Sequence, residues 1–109
     1  MAVAHQLDVT LKAKLFRGLA DPSRLMIVEA LRGGEQTVSQ VVETTGLSQP
    51  NASTHLACLQ DCGLVTRRQA GRFVYYALAD ARLETVLHAV EDMLPRISEH
   101  IDRCPRYQR

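Results

Sequence analysis

What this sequence lacks narrows its class before any motif is considered. No apolar run approaches the ~18 residues that a membrane-spanning helix requires. The first stretch, MAVAHQLDVTLKAKLF, places Asp8, Lys12 and Lys14 where a secretory signal keeps an unbroken apolar segment. A cytoplasmic protein without a membrane partner is expected. Cysteine is scarce: three residues, an odd number, do not make the disulfide framework of a small secreted domain. In a reducing compartment those thiols are metal ligands, redox sensors or inert core residues. No tract is repetitive or low in complexity, and 109 residues leave no room for a second domain.

A strong charge of one sign is missing too, since 13 Lys and Arg stand against 12 Asp and Glu. The distribution is less even than the sum. From Thr44 to Ala79 the only acid is Asp61, against Arg67, Arg68 and Arg72, whereas Asp80 to Asp102 holds six acids and two arginines. The middle of the chain suits a polyanion; its C-terminal part is acidic.

Apolar spacing then lays out the elements. Leu7, Leu11, Leu15 and Leu19, with Phe16 beside them, give one side of a helix ending near Ala20. Asp21 can cap a second helix with Pro22 in its first turn, Leu25, Val28 and Leu31 as its buried stripe, and Gly33-Gly34 as its stop. Thr37 and Gln40 have the spacing of a capping box for a short third helix whose Val38, Val41 and Val42 face inward, broken at Thr45-Gly46. Ser48 caps a fourth helix with apolar Ala52, Leu56 and Leu59, ended by Gly63. The period then changes to two: LVTRRQ and RFVYYAL read as strands separated by Ala-Gly, with Gly71 at a positive φ. From Ala81 a helical seam returns, Leu83, Leu87, Val90, Leu94, Ile97 and Ile101, suited to another helix or a second copy; Pro95 should kink it.

Helix, turn, helix and hairpin make a mainly α winged helix-turn-helix, whose second helix enters the major groove of DNA while the wing lies along its backbone. Ser48, Gln49, Asn51, Ser53, Thr54 and His55 supply short hydrogen-bonding side chains without any acid, suited to base edges and phosphate oxygens. Arg67, Arg68 and Arg72 supply charge to the backbone contact.

Three segments, LADPSRLMIVEAL, LSQPNASTHLACLQDCGLV and GRFVYYAL, resemble the signature segments of the ArsR/SmtB metalloregulatory repressors, closely from Leu15 to Leu78 and in outline beyond. The resemblance implies a homodimer built from the N- and C-terminal helices, which binds a two-fold symmetric operator in double-stranded DNA and is released by an inducer. Residues 1–109 are then one winged helix-turn-helix domain: helix-turn-helix about 37–62, wing about 64–78 and C-terminal dimerisation helix about 81–102.

Within that family the sensing ligands sit on different helices. The third helix here, TVSQVVETT, lacks the cysteine pair of the arsenic sensors. On the last helix Asp80 is followed two residues later by Arg82, so the D-x-H pair of the zinc, cobalt and nickel sensors is missing, although His88 and Glu91 keep H-x-x-E spacing. Cys58, Cys62 and Cys104 instead resemble the ligand set of the CmtR-type cadmium and lead sensors, in which two thiolates from the recognition helix and one from the other subunit's C-terminal tail hold the metal. Residues four apart on a helix lie about 5 to 6 Å apart at Cβ, so both sulfurs reach one ion. Three soft thiolates favour Cd(II) or Pb(II) as inducer, with Zn(II) possible. His5 or His100 are candidates for a fourth ligand, and Cys104 can act within or across chains.

Other readings stay open. Cys58 and Cys62 flank the Leu56 and Leu59 stripe and can serve as small core fillers. The thiols can also make a redox-responsive repressor, with a bridge to Cys104 better suited geometrically than an i, i+4 bridge, or hold a purely structural metal. An enzyme with a cysteine nucleophile beside His55 is not expected, because no oxyanion loop or orienting carboxylate accompanies the pair.

Overall fold

Asp21 turns the first corner. Its backbone is extended, its Oδ2 accepts the Arg24 N–H at 3.0 Å, and Pro22 occupies the first helical turn, where a missing N–H is not missed. The computed structural model describes residues 2–107, and of residues 2–7 the backbone only. The elements are α1 (Ala2–Leu19), α2 (Pro22–Leu31), β1 (Gln36–Thr37), α3 (Val38–Thr45), α4 (Gln49–Asp61), β2 (Val65–Ala70), β3 (Phe73–Leu78) and α5 (Arg82–Arg103).

The expected capping box forms. Thr37 Oγ1 accepts the Gln40 N–H at 3.2 Å, and Gln40 Oε1 accepts the Thr37 N–H at 2.8 Å. Gly46, at φ 77°, ends α3 in the left-handed conformation, and Ser48 Oγ accepts the Asn51 N–H to start α4. Two helices are thereby joined through a turn of three residues, 46–48.

Inside, Leu56, Leu59 and Ala52 of α4 meet Ile27, Val28 and Leu31 of α2, Val41 of α3, Leu64 and Val65 at the wing's root, and Leu83 and Leu87 of α5. Ile27, absent from the expected stripe, is fully buried, while the expected Leu25 is only half-buried. On α1, Leu15 and Leu19 pack against this core, but Leu11 and Phe16 are exposed.

The sheet departs from expectation in two places. Ala70 pairs with Phe73, so the hairpin loop is Gly71-Arg72 and not Ala70-Gly71. Gly71, at φ 62°, takes the first loop position, the one that demands a positive φ when the second residue does not. Leu64 stays outside the ladder: it is buried, and its carbonyl accepts the Ala79 N–H at 3.0 Å. A third strand was also not expected. β1 pairs with β3 through Gln36↔Tyr76 and Thr37↔Tyr75, giving the order β1-β3-β2 and fastening the wing to the residue that caps α3.

The seam of α5 divides. Leu83 and Leu87 close the core, but Leu94, Ile97 and Ile101 are 40%, 41% and 43% exposed. The helix runs through Pro95. The radius of gyration, 15.8 Å, exceeds the roughly 13 Å of a compact chain this long, because the ends of α1 and α5 project. No helix among the described residues is long and apolar enough to cross a membrane.

One arginine anchors α5. Arg32, its side chain 16% exposed, donates through Nε and Nη2 to Glu84 at 2.7 and 2.8 Å, through Nη1 and Nη2 to Glu91 at 2.8 and 3.0 Å, and through Nη1 to Glu29 at 2.9 Å. Glu84 and Glu91 lie two turns apart on one face of α5, so a single planar fork spans both. These bonds hold both carboxyls below the usual glutamate value of 4.5.

Leu56→Ala should lower the unfolding free energy by about 2–5 kcal/mol, the range for a leucine removed from a filled core, as measured by denaturant titration. Carboxylates depressed by folding add stability that is complete above their unfolded value and is lost as pH falls through the folded one. Arg32→Met should therefore melt at lower temperature than wild type near neutral pH, and the two curves should converge below about pH 4. A gap independent of pH would show that the ion pairs are not its source.

Candidate nucleic-acid interface and thiol site

α4 offers three faces. Ala52, Leu56 and Leu59 point into the core, whereas Gln49, Asn51, Ser53 and Thr54 are exposed. At 3.6 residues per turn Ser53 and Thr54 lie on the outer side, and Asn51, His55, Cys58 and Cys62 follow one flank. Two of the polar side chains are engaged locally: Ser48 in the cap, and Thr54, whose Oγ1 donates to the Pro50 carbonyl at 2.9 Å. His55 is half-buried and turned toward Asp21. The Arg24 N–H is the main reason that Asp21 titrates low, with smaller help from the Arg24 guanidinium and His55. The structure thus sets His55 beside the thiols' flank and leaves the outer polar residues open to a groove.

The three wing arginines are exposed and differently placed. Arg67 and Arg68 are neighbours on β2 and so point to opposite faces. Arg68 Nη2 meets Glu35 Oε1 at 2.6 Å, and its guanidinium lies 4.9 Å from the centre of the Tyr75 ring. Arg72 sits at the tip, 5.5 Å from the ring of Phe73. Neither Arg67 nor Arg72 makes an ion pair among the described residues.

Cys58 and Cys62 come together one turn apart at the end of α4, where the Cys62 N–H bonds the Cys58 carbonyl at 3.0 Å. Both are free thiols, Cys58 half-buried and Cys62 exposed. Partial burial, and next the Cys58 thiol beside it, push the Cys62 thiol above the ordinary value of 9.0. Cys62 opens into a cleft of about 280 Å³ with Leu11, Lys14, Leu15 and Leu64, between α1 and the wing's root. Gly18 lets α1 come this close, since a Cβ there would stand 3.2 Å from Leu64 Cδ1. Arg24 secures the same corner by donating to the carbonyls of Gly18 and Arg17 at 2.8 and 3.1 Å, a cap on α1 that no local pattern announces.

Cys104 is apart, half-buried at the C-terminal end of α5. Among the described residues no three His, Cys, Asp or Glu side chains converge as a metal site. His100 is exposed one turn before Cys104, and the side chain of His5 lies outside the described residues. Glu91 is committed to Arg32, and Asp80, just before α5, to Arg82, whose side chain and N–H bonds bring Asp80 to about 2.

Comparison with known proteins places this geometry. The sequence model described as "Bacterial regulatory protein, arsR family" matches residues 21–67. A probable mercury resistance operon repressor of Streptomyces lividans is 37% identical over 94 residues, covering 86% of this chain and 75% of the relative. The regulator CmtR of Mycobacterium tuberculosis is 47% identical over 75 residues, covering 69% of this chain and 64% of the relative. The NMR structure of that cadmium sensor superposes with a TM-score of 0.63 at 45% identity, covering 71% of this chain and 80% of the other. The homodimeric winged helix-turn-helix domain Mb0332 of Mycobacterium bovis, described as a possible ArsR-family regulator, superposes at 0.69 with 34% identity, covering 83% of this chain and 84% of the other.

A raised thiol is mostly protonated at neutral pH and therefore slow to alkylate. Cys62 in the reduced, metal-free protein should react with iodoacetamide more slowly than a free cysteine near neutral pH and accelerate as pH rises, measured by peptide mass spectrometry. A rate already at its plateau near neutral pH would contradict this environment.

Proposed function

The chain belongs to the arsR family of bacterial regulatory proteins, and on that premise we propose that it is a metal-responsive transcriptional repressor. Its metal-free homodimer binds a two-fold operator, and soft metal ions, Cd(II) or Pb(II), release it by binding Cys58, Cys62 and Cys104. The matched relatives are transcriptional regulators rather than enzymes, which agrees with a chain built around a helix for DNA.

Recognition falls to the exposed first turns of α4, where Gln49, Asn51, Ser53 and Thr54 offer amides and hydroxyls to base edges, with Ser48 and His55 at their margins. The wing arginines bring charge to the phosphates. Dimerisation falls to the apolar residues that the chain leaves open on α1 and the far half of α5, Leu11, Phe16, Leu94, Ile97 and Ile101. It would set two recognition helices about one duplex turn, ~34 Å, apart.

The observation that carries the metal reading is the Cys58–Cys62 pair, one turn apart at the C-terminal end of α4, beyond the polar residues of its first turns. Two thiols suit a soft ion and do not complete its shell. Among the described residues Cys104 does not join them in a metal-sized cluster, so closure would take it from a second chain or from a moved C-terminal segment. In either case the bond ties the recognition helix to the end of α5 and reorients the two heads. Coupling of this kind is reciprocal and typically ~1–3 kcal/mol. Binding displaces thiol protons, so metal affinity should rise with pH. The CmtR relative is a cadmium sensor and the Streptomyces relative is named for mercury resistance, both thiophilic ions.

Reduced protein titrated with Cd(II), Pb(II) and Zn(II), with thiolate-to-metal absorption and operator release followed together, tests the reading. Cys58→Ser, Cys62→Ser and Cys104→Ser should each lose most of the release while binding the operator as wild type does. Release that persists in all three variants would overturn the ligand set, and metal that stabilises the fold without altering operator affinity would mark a structural site.

A further inference from the structure

The three arginines of the wing look equivalent as sequence, yet one of them is not free. We propose that Arg68 is a positioning residue, held by Glu35 and Tyr75 to fix the angle of the wing on the helix-turn-helix, while phosphate contact belongs to Arg67 and Arg72. This rests on the DNA-binding reading above and divides its labour.

Arg68 presents two of its donors to one carboxylate, Nη2 to Glu35 Oε1 at 2.6 Å and Nε to Glu35 Oε2 at 3.2 Å. Its guanidinium covers the ring of Tyr75, its partner across the β2–β3 ladder. The donor edge and one face of a rigid planar group are thus assigned within the protein. Glu35 immediately precedes β1, and Thr37 of β1 pairs with Tyr75 while capping α3. A short loop of contacts therefore runs from the wing through Arg68 and Glu35 into the first helix of the helix-turn-helix. Swinging Arg68 to a phosphate would strand the Glu35 carboxylate, unpaired, beside a polyanion. Among the described residues neither Arg67 nor Arg72 has a carboxylate to strand, and Arg72 has only the neighbouring Phe73 ring at 5.5 Å.

Side chains of Arg68 and Glu35 are 56% and 41% exposed. An exposed pair adds little to global stability, so its loss should be read in DNA binding and not in melting temperature.

The test uses full-length protein and a duplex of about 30 base pairs, room for two half-sites, selected from a random pool by the wild-type protein. Affinity is followed from about 50 to 200 mM salt. Arg67→Gln and Arg72→Gln should each flatten the slope of log affinity against log salt by about 0.9 per chain. Arg68→Gln should leave the slope unchanged and weaken binding by about three- to tenfold at every salt. The swap Glu35→Arg with Arg68→Glu keeps the net charge and the pair; it should bind within about threefold of wild type, whereas Arg68→Glu alone should bind much more weakly. A flattened slope for Arg68→Gln, unchanged affinity in that variant, or a swap as weak as Arg68→Glu alone would overturn the assignment. Wild-type protein that selects no duplex would instead overturn the DNA-binding reading, and the division of labour with it.

Discussion

The burial of Leu56 and Leu59 is the contact on which every functional surface of this molecule depends. These two side chains, fully enclosed among α2, α3, the root of the wing and the start of α5, fix how α4 is rotated about its own axis. Once that rotation is set, the rest of the helix has no freedom of assignment: polar residues of its first turns face outward and the cysteines fall on a flank toward α1. A helix turned by one residue, about 100°, would bury polar residues in the core or carry the thiols to a different side of the molecule. Dispersion and desolvation in a small core thus decide electrostatic and chemical questions at the surface.

The ionic contacts divide labour in a related way. Arg32 joins the head to α5, Arg24 joins the end of α1 to α2, and Arg68 joins the wing to the loop before β1. Each lies at a seam between elements that share few buried apolar residues, where a directional bond sets an angle that packing leaves loose. In the proposed dimer, angles at those seams would govern where the two copies of α4 stand relative to one another. A metal bond between α4 and the end of α5 would load the same seams.

The apolar residues left open on α1 and on α5 beyond Glu91 have the opposite character. They repeat with helical spacing and lie away from the core, uncovered among the described residues. This is the pattern of an interface waiting for another surface, and it gives the projecting helices a purpose that their own fold does not supply.

Much of this was legible in residue order, for local reasons. The caps at Asp21, Thr37 and Ser48, the left-handed Gly46 and Gly71, and the change from helical period to alternation all express themselves within four residues, because hydrogen bonds and steric limits there act between near neighbours. The same local rules placed two thiols on one helical flank. They were silent on Ile27 as core, on β1, on Leu64 leaving the ladder, and on the separate fates of three arginines that read alike. What decided those were contacts between residues distant in the chain, Arg32 with Glu84, Glu35 with Arg68 and Thr37 with Tyr75. Sequence alone determined the helix-turn-helix, the hairpin and the chemistry available on each. Only tertiary structure decided which of the wing's arginines is paired and how the wing is fastened to the helix-turn-helix, because a partner brought in from a distant segment leaves no periodic trace in the residues around it.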